Sequence, residues 1–233
     1  MSGPKVSVIT AVYNGERHLG AALESLFAQD YHPFESIVVD DGSEDRTAEI
    51  VQRFPVVYIR QENQGPGAAR NAGLAVASGE LVTFLDSDDV LPPTKLAVQA
   101  AYLVDHPEVA CVLGRQEILL EPGVEPPPWL TRDLLYGELG GIPLLSAMIR
   151  RQALVELGGF DPDPRYRYTE DRDLFVRMGE RGFRYAVLPD LVLHRRCDGS
   201  NMYFRELQGS HPFLRSLKAK IERSRRAAEA ERP

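Results

Sequence analysis

Two acidic clusters stand directly after apolar runs. Asp40-Asp41 follows Ser36-Ile37-Val38-Val39, and Asp86-Ser87-Asp88-Asp89 follows Leu81-Val82-Thr83-Phe84-Leu85. Carboxylates this close repel one another unless a cation or hydrogen-bond donors offset them. Side chains two apart in an extended segment face the same side, so Asp86 and Asp88 converge if Ser87 is extended. Two hard oxygen ligands with open positions suit Mg2+ or Mn2+ shared with a substrate diphosphate. The plainer alternative is an Asp-rich turn that caps the helix starting near Pro93.

The surrounding pattern would place both clusters at one edge of a sheet. Val6–Val12, Ser36–Asp40, Val56–Arg60 and Leu81–Leu85 read as short buried strands. Helical spacing fills the gaps. Glu16–Tyr31 carries Leu19, Ala22, Leu23, Leu26 and Phe27 on one stripe, with Asn14 as the expected N-cap. Thr47–Phe54, the Ala- and Gly-rich Gly65–Ala77 and Pro93–Val104 are the other helices. This order predicts an α/β fold with a mostly parallel sheet and helices on both faces. Ligands in such sheets bind outside the carboxyl ends of the strands, where the acidic clusters fall.

The second half reads differently. Val109–Leu120 is strand-rich, and Glu121–Trp129 is a Pro-rich loop. Gln152–Leu157 is a short helix stopped by Gly158-Gly159, and Glu170–Arg181 is a longer one. Tyr185–Leu188 and Leu191–His194 read as two short strands. The basic stretch from Arg215 onward reads as a solvated or frayed helix.

Composition excludes several classes. The net charge is −7, with 34 acidic against 27 basic residues, which argues against nucleic acid as a partner. The first turn after a strand, Thr10-Ala11-Val12-Tyr13-Asn14-Gly15, lacks the G-x-G-x-x-G of a dinucleotide site. No apolar run approaches the roughly 20 residues of a transmembrane helix. Cys111 and Cys197 have no C-x-x-C spacing and read as free thiols. With no signal-peptide pattern in MSGPKVSVIT, the expected location is cytoplasmic.

Taken together, Val6–Asn14, Val38-Val39-Asp40-Asp41-Gly42-Ser43, Gly65–Gly73 and Phe84–Asp89 resemble the family 2 glycosyltransferases of the GT-A fold. Gly158-Gly159-Phe160-Asp161 and Thr169-Glu170-Asp171 extend the resemblance to about residue 195. It is thinnest through 110–143. The fold implied is a Rossmann-like, mostly parallel sheet with a smaller mixed region. Residues 1–105 would form the nucleotide-sugar half, 106–213 the acceptor half, and 214–233 a charged tail.

The resemblance also implies roles. Thr10, Ala11 and Tyr13 would line the base and ribose, and Asp40 with Asp41 would accept the base N–H. Arg70 would reach the diphosphate or stabilise the aspartates. Asp86 would hold the ribose or a metal water, and Asp88 would bind Mn2+ or Mg2+. Asp171 matches the general base, at a helix start where the macrodipole favours an anion; the plainer alternative is an acid that caps the helix. His194 is either the last metal ligand or a satisfied core histidine. Trp129 either stacks on an acceptor sugar or anchors its loop.

The implied reaction is one in-line displacement at the sugar C1, with inversion, from a UDP- or GDP-linked sugar to an acceptor hydroxyl. Gly140-Gly141-Ile142-Pro143 would close over the donor. The acceptor is open: a sugar, a lipid-linked glycan, a small molecule or a protein. A homodimer is the self-association considered. Absence of Q-x-x-R-W and of membrane spans speaks for a single transfer rather than polymer extrusion. The rivals are a sugar nucleotidyltransferase, whose Gly-rich basic loop Val12–Glu16 lacks, and an inactive nucleotide-sugar binder.

Overall fold

A computed structural model describes residues 3–125, 143–163, 166 and 169–198. Its elements run β1 (Val6–Val12), α1 (Leu19–Phe27), β2 (Phe34–Asp40), α2 (Thr47–Val51), β3 (Val57–Arg60), α3 (Pro66–Val76), β4 (Leu81–Phe84) and α4 (Lys95–Asp105). Then come β5 (Val109–Leu120), a 3-10 turn (Pro143–Ser146), β6 (Met148–Arg150), α5 (Arg151–Glu156), α6 (Glu170–Glu180) and β7 (Arg184–Cys197). Trp129, the Gly140-Gly141-Ile142 stretch and the 214–233 tail lie outside the described residues.

The strands form one sheet in the order β3-β2-β1-β4-β6-β5-β7. The first four are mutually parallel, with Val8 level with Ser36 and Thr83. Strand order reverses between β1 and β4, so the crevice for a ligand opens beyond their carboxyl ends. β6 runs antiparallel to both β4 and β5, and β7 returns parallel to β5. The α/β, mostly parallel, GT-A-like architecture expected from the sequence is present.

Alternation along β1 and β2 seats helices on both faces. Val12 and Val38 pack with Leu19, Leu23 and Val51 of α1 and α2. Ile9 and Val39 face the opposite way, against α3. There Gly73 lets the helix lie on the sheet, because a Cβ would collide with the Ile9 side chain. Val6, Val8 and Ile9 are fully buried, each contributing about 1.5–3 kcal/mol of apolar burial.

Three expectations are corrected. Asn14 does not cap α1: it takes φ 52°, and the helix begins four residues past Gly15, behind His18. Asn14 Oδ1 accepts the Glu44 N–H instead. The expected strands at 185–188 and 191–194 are one strand, β7. Pro189 fits because register slips between Leu113 and Arg115, where β7 advances from Val187 to Leu191. Ser87 is not extended but lies in a turn, described below.

Candidate active site

The β1–α1 connection is stitched to the start of α2. Asn14 N–H donates to Ser43 Oγ at 2.9 Å, Gly15 N–H to Thr47 Oγ1 at 2.8 Å and Glu16 N–H to Asp45 at 2.9 Å. These bonds fix the crevice wall that carries Thr10, Ala11 and Tyr13. Tyr13 is 52% exposed, Ala11 is half-buried, and Thr10 is buried with no partner for its hydroxyl among the described residues.

Asp40 ends β2 and is fully buried. Its Oδ1 accepts the Ser43 N–H at 2.7 Å and its Oδ2 the Tyr58 hydroxyl at 2.6 Å. The Tyr58 phenol is pushed up to about 12, first by desolvation of its hydroxyl and then by Asp40. Asp41 takes N–H groups of Gln64 at 2.9 Å and Gly65 at 2.8 Å, plus the Gln61 amide at 2.8 Å. Asp41 thereby ties β2 to the start of α3. Gly42, at φ 86°, makes the intervening turn.

The second acidic cluster converges through a turn rather than through an extended strand. Asp89 N–H donates to the Asp86 carbonyl at 3.2 Å. Ligand oxygens of Asp86, Asp88 and Asp89 all lie within 4.8 Å of one another. Asp89 is 2% exposed, and burial followed by the charges of Asp88 and Asp86 raises its carboxyl well above the usual range. A cation would relieve that repulsion, so the donor set fits Mg2+ or Mn2+.

β7 braces this turn from more than a hundred residues away. Val90 and His194 exchange backbone hydrogen bonds at 3.0 and 2.9 Å. Arg196 N–H donates to Asp89 Oδ1 at 2.9 Å, and Arg196 Nε to the Asp88 carbonyl at 3.0 Å. The His194 imidazole is not one of the three converging groups; its Nδ1 lies 3.4 Å from Glu117 Oε2.

On the far side, α6 brings Glu170 and Asp171 to the same crevice. Arg177 anchors the helix: it pairs with Asp173 at 2.6 Å and donates to the carbonyls of Leu157 and Gly159 at 2.8 and 2.7 Å. Arg70, buried on α3, spans the two halves, donating to Asp86 at 2.9 Å and to Glu170 at 2.7 Å. Its guanidinium sits 5.8 Å from the Phe160 ring centroid, and that ring meets Phe84 edge-on at 5.3 Å. Asp86 and Glu170 hold the Arg70 proton more tightly than usual despite its burial.

Asp171 Oδ1 accepts the Arg172 N–H at 2.7 Å, while Oδ2 is buried with no partner among the described residues. Burial, then the charge of Glu170, lifts the Asp171 carboxyl from 3.8 to about 6. A carboxylate so placed is poised to take a proton near neutral pH. Glu170 and Arg196 were not singled out from sequence. Glu170 had a signal in its adjacency to Asp171; Arg196 had none.

A family model described as Glycosyl transferase family 2 matches residues 7–159. The chain belongs to this family. It is 33% identical over 207 residues to EpsE of Bacillus subtilis, a glycosyltransferase by name, covering 84% of this chain and 74% of that one. The S. aureus TarS structure in complex with UDP-GlcNAc superposes with a TM-score of 0.68 at 26% identity, over 89% of this chain and 61% of that one. The Pyrobaculum calidifontis mannosyltransferase PcManGT, solved with GDP-Man and Mn2+, shares the fold at a TM-score of 0.67 and 24% identity, over 89% of this chain and 60% of that one. This family 2 glycosyltransferase thus spans less than two thirds of both solved neighbours. Among the described residues, no helix is long and apolar enough to cross a membrane.

Proposed function

We propose that this glycosyltransferase moves one sugar from a nucleoside-diphosphate sugar to an acceptor hydroxyl, with inversion at C1 and Asp171 as general base. The single observation that carries this is the buried Asp171 carboxyl. It has one oxygen fixed by Arg172, one unpartnered, and an affinity for protons raised to about 6.

The donor lies in the crevice beyond β1 and β4. The exposed Tyr13 ring stacks on the base, with Thr10 and Ala11 against base and ribose. Asp40 and Asp41 accept the base N–H through lone pairs left over from their protein donors. Asp86 and Asp88 would hold Mn2+ or Mg2+, with Asp89 beside them; His194 pairs through Nδ1 with Glu117, which leaves Nε2 as the atom that would join. When bound, the cation neutralises charge on the departing diphosphate. Arg70 keeps Asp86 in place. Asp171 Oδ2 takes the acceptor proton as the hydroxyl oxygen attacks C1 from the face opposite the diphosphate.

TarS binds UDP-GlcNAc in its solved complex, which makes UDP-linked sugars the first donors to try. The test is a panel of UDP- and GDP-sugars with Mn2+ or Mg2+, read as released nucleoside diphosphate. Hydrolysis of a donor excludes the inactive-binder alternative. Formation of a nucleotide sugar from triphosphate and sugar phosphate would sink the transferase reading in favour of a nucleotidyltransferase.

A further inference from the structure

We infer that Glu170 is a positioning residue for transfer, holding Arg70 so that one guanidinium sets both the Asp86 loop and the start of the helix bearing Asp171. The inference rests on the reading of Asp171 as the base.

The bridge joins three separate elements. Arg70 leaves α3, Asp86 follows β4, and Glu170 opens α6, 100 residues from Arg70 in sequence. The Arg70 and Glu170 side chains are 8% and 7% exposed, whereas that of Asp86 is 32% exposed. The Arg70–Glu170 half is therefore the one shielded from solvent, where a charge left without its partner is costly. A planar guanidinium can donate to both carboxylates at once; a point-like ammonium has no such fork. The Phe160 ring beside Arg70 and the packing of Glu170 against Gly67 leave the bridge little room to move.

The arrangement ties donor and acceptor sides together. Glu170 and Asp171, which open α6, each have one oxygen held by the protein. Glu170 Oε1 meets Arg70, and Asp171 Oδ1 meets the Arg172 N–H. The remaining oxygens, Glu170 Oε2 and Asp171 Oδ2, are buried without a partner among the described residues. Arg70 thus fixes the rotation of Glu170 and, through the helix, the direction in which Asp171 Oδ2 faces the crevice. The charged groups acting on Asp171 are Glu170 and Arg172 from its own helix and Arg70 from α3. The Glu170 charge makes Asp171 a stronger base, and Arg70 moderates that effect according to how closely it also serves Asp86.

The experiment uses the full chain and two variants. Glu170→Gln keeps an acceptor oxygen for Arg70 but removes the charge. The Asp171 carboxyl is titrated by 13C NMR, with Asp171→Asn assigning the signal, and kcat and KM for the donor are measured against pH. The expected result is a midpoint lower by on the order of one unit. The acidic limb of kcat should move down with it, kcat should fall about tenfold or more, and donor KM should stay within about threefold. A midpoint and limb equal to wild type overturn the inference, even if the variant melts earlier.

Asp86→Asn tests the far end of the bridge and is informative if Glu170→Gln does not fold. Releasing Arg70 to Glu170 should lower the Asp171 midpoint, and an unchanged midpoint overturns the coupling. The NMR readout needs no turnover, so it distinguishes failure of this coupling from failure of the transferase reading.

Discussion

The Asn71 side chain pairs with the Phe160 backbone as a neighbouring strand would. Its Nδ2 donates to the Phe160 carbonyl at 2.8 Å, and its Oδ1 accepts the Phe160 N–H at 2.8 Å. This contact docks the Gly158-Gly159 turn on α3, one residue from Arg70. It also seats the Phe160 ring beside the Arg70 guanidinium.

Asn71→Ala removes both partners of a buried backbone and should cost about 1–3 kcal/mol of stability. Urea denaturation checks the value. Loss of less than about 0.5 kcal/mol would show that Phe160 finds other partners.

Asp171→Asn should abolish transfer while leaving nucleotide affinity in the presence of Mn2+ nearly unchanged, as read by calorimetry. In the wild type, kcat should rise with pH through about 6, because the base must be ionised. Stability runs the other way. The raised carboxyl contributes stability that is fully present below its ordinary 3.8 and is lost as pH rises through about 6. The Asn variant should therefore melt above wild type at pH 8, with the gap closing toward pH 4. Retained turnover in this variant would remove Asp171 from the chemistry.

Asp88→Asn should weaken Mn2+-dependent binding of the donor nucleotide about tenfold or more, as loss of a metal ligand does. EDTA should do the same to wild type. Equally tight binding of UDP with and without metal would refute the role given to the acidic turn.

Lys95 is fully buried on α4, and its ammonium nitrogen donates to the Leu145 carbonyl at 3.1 Å. Burial pulls it down from 10.5 to about 7. Its contribution to stability is present above 10.5 and lost as pH falls through about 7, because the unfolded chain takes up the proton first. Lys95→Met should therefore gain on wild type as pH is lowered from 10 to 7. At pH 7 the advantage should be about 1–3 kcal/mol, once the lost hydrogen bond is set against it. A pH-independent difference would mean that the amine is charged in the fold.

The alternation of apolar runs and amphipathic stripes made the first half legible, because the central strands β1, β2 and β4 are largely buried on both faces and each helix on one. The acidic clusters were legible too, since carboxylates after buried strands have few structural uses. What sequence could not convey was local geometry decided by distant partners. Asn14 reads as a cap, yet the Glu44 N–H, 30 residues on, claims its side chain. Asp86 and Asp88 read either as extended neighbours or as an Asp-rich turn, and the Asp89 N–H that closes back onto Asp86 decides for the turn. Tyr185–Leu188 and Leu191–His194 read as two strands, whereas slipped register against β5 carries Pro189 within one. Glu170 and Arg196 act through contacts 100 and more residues away, and no periodicity encodes those.

The brace from Arg196 to the acidic turn has a consequence for biosynthesis. Asp88 and Asp89 leave the ribosome long before the strand that holds them, which lies 107 and 108 residues downstream in these two bonds. The nucleotide-facing strands can pair early, but the turn acquires its final support only when β7 has emerged. A nascent chain thus passes through a stage with its first strands made and its acidic turn still unbraced.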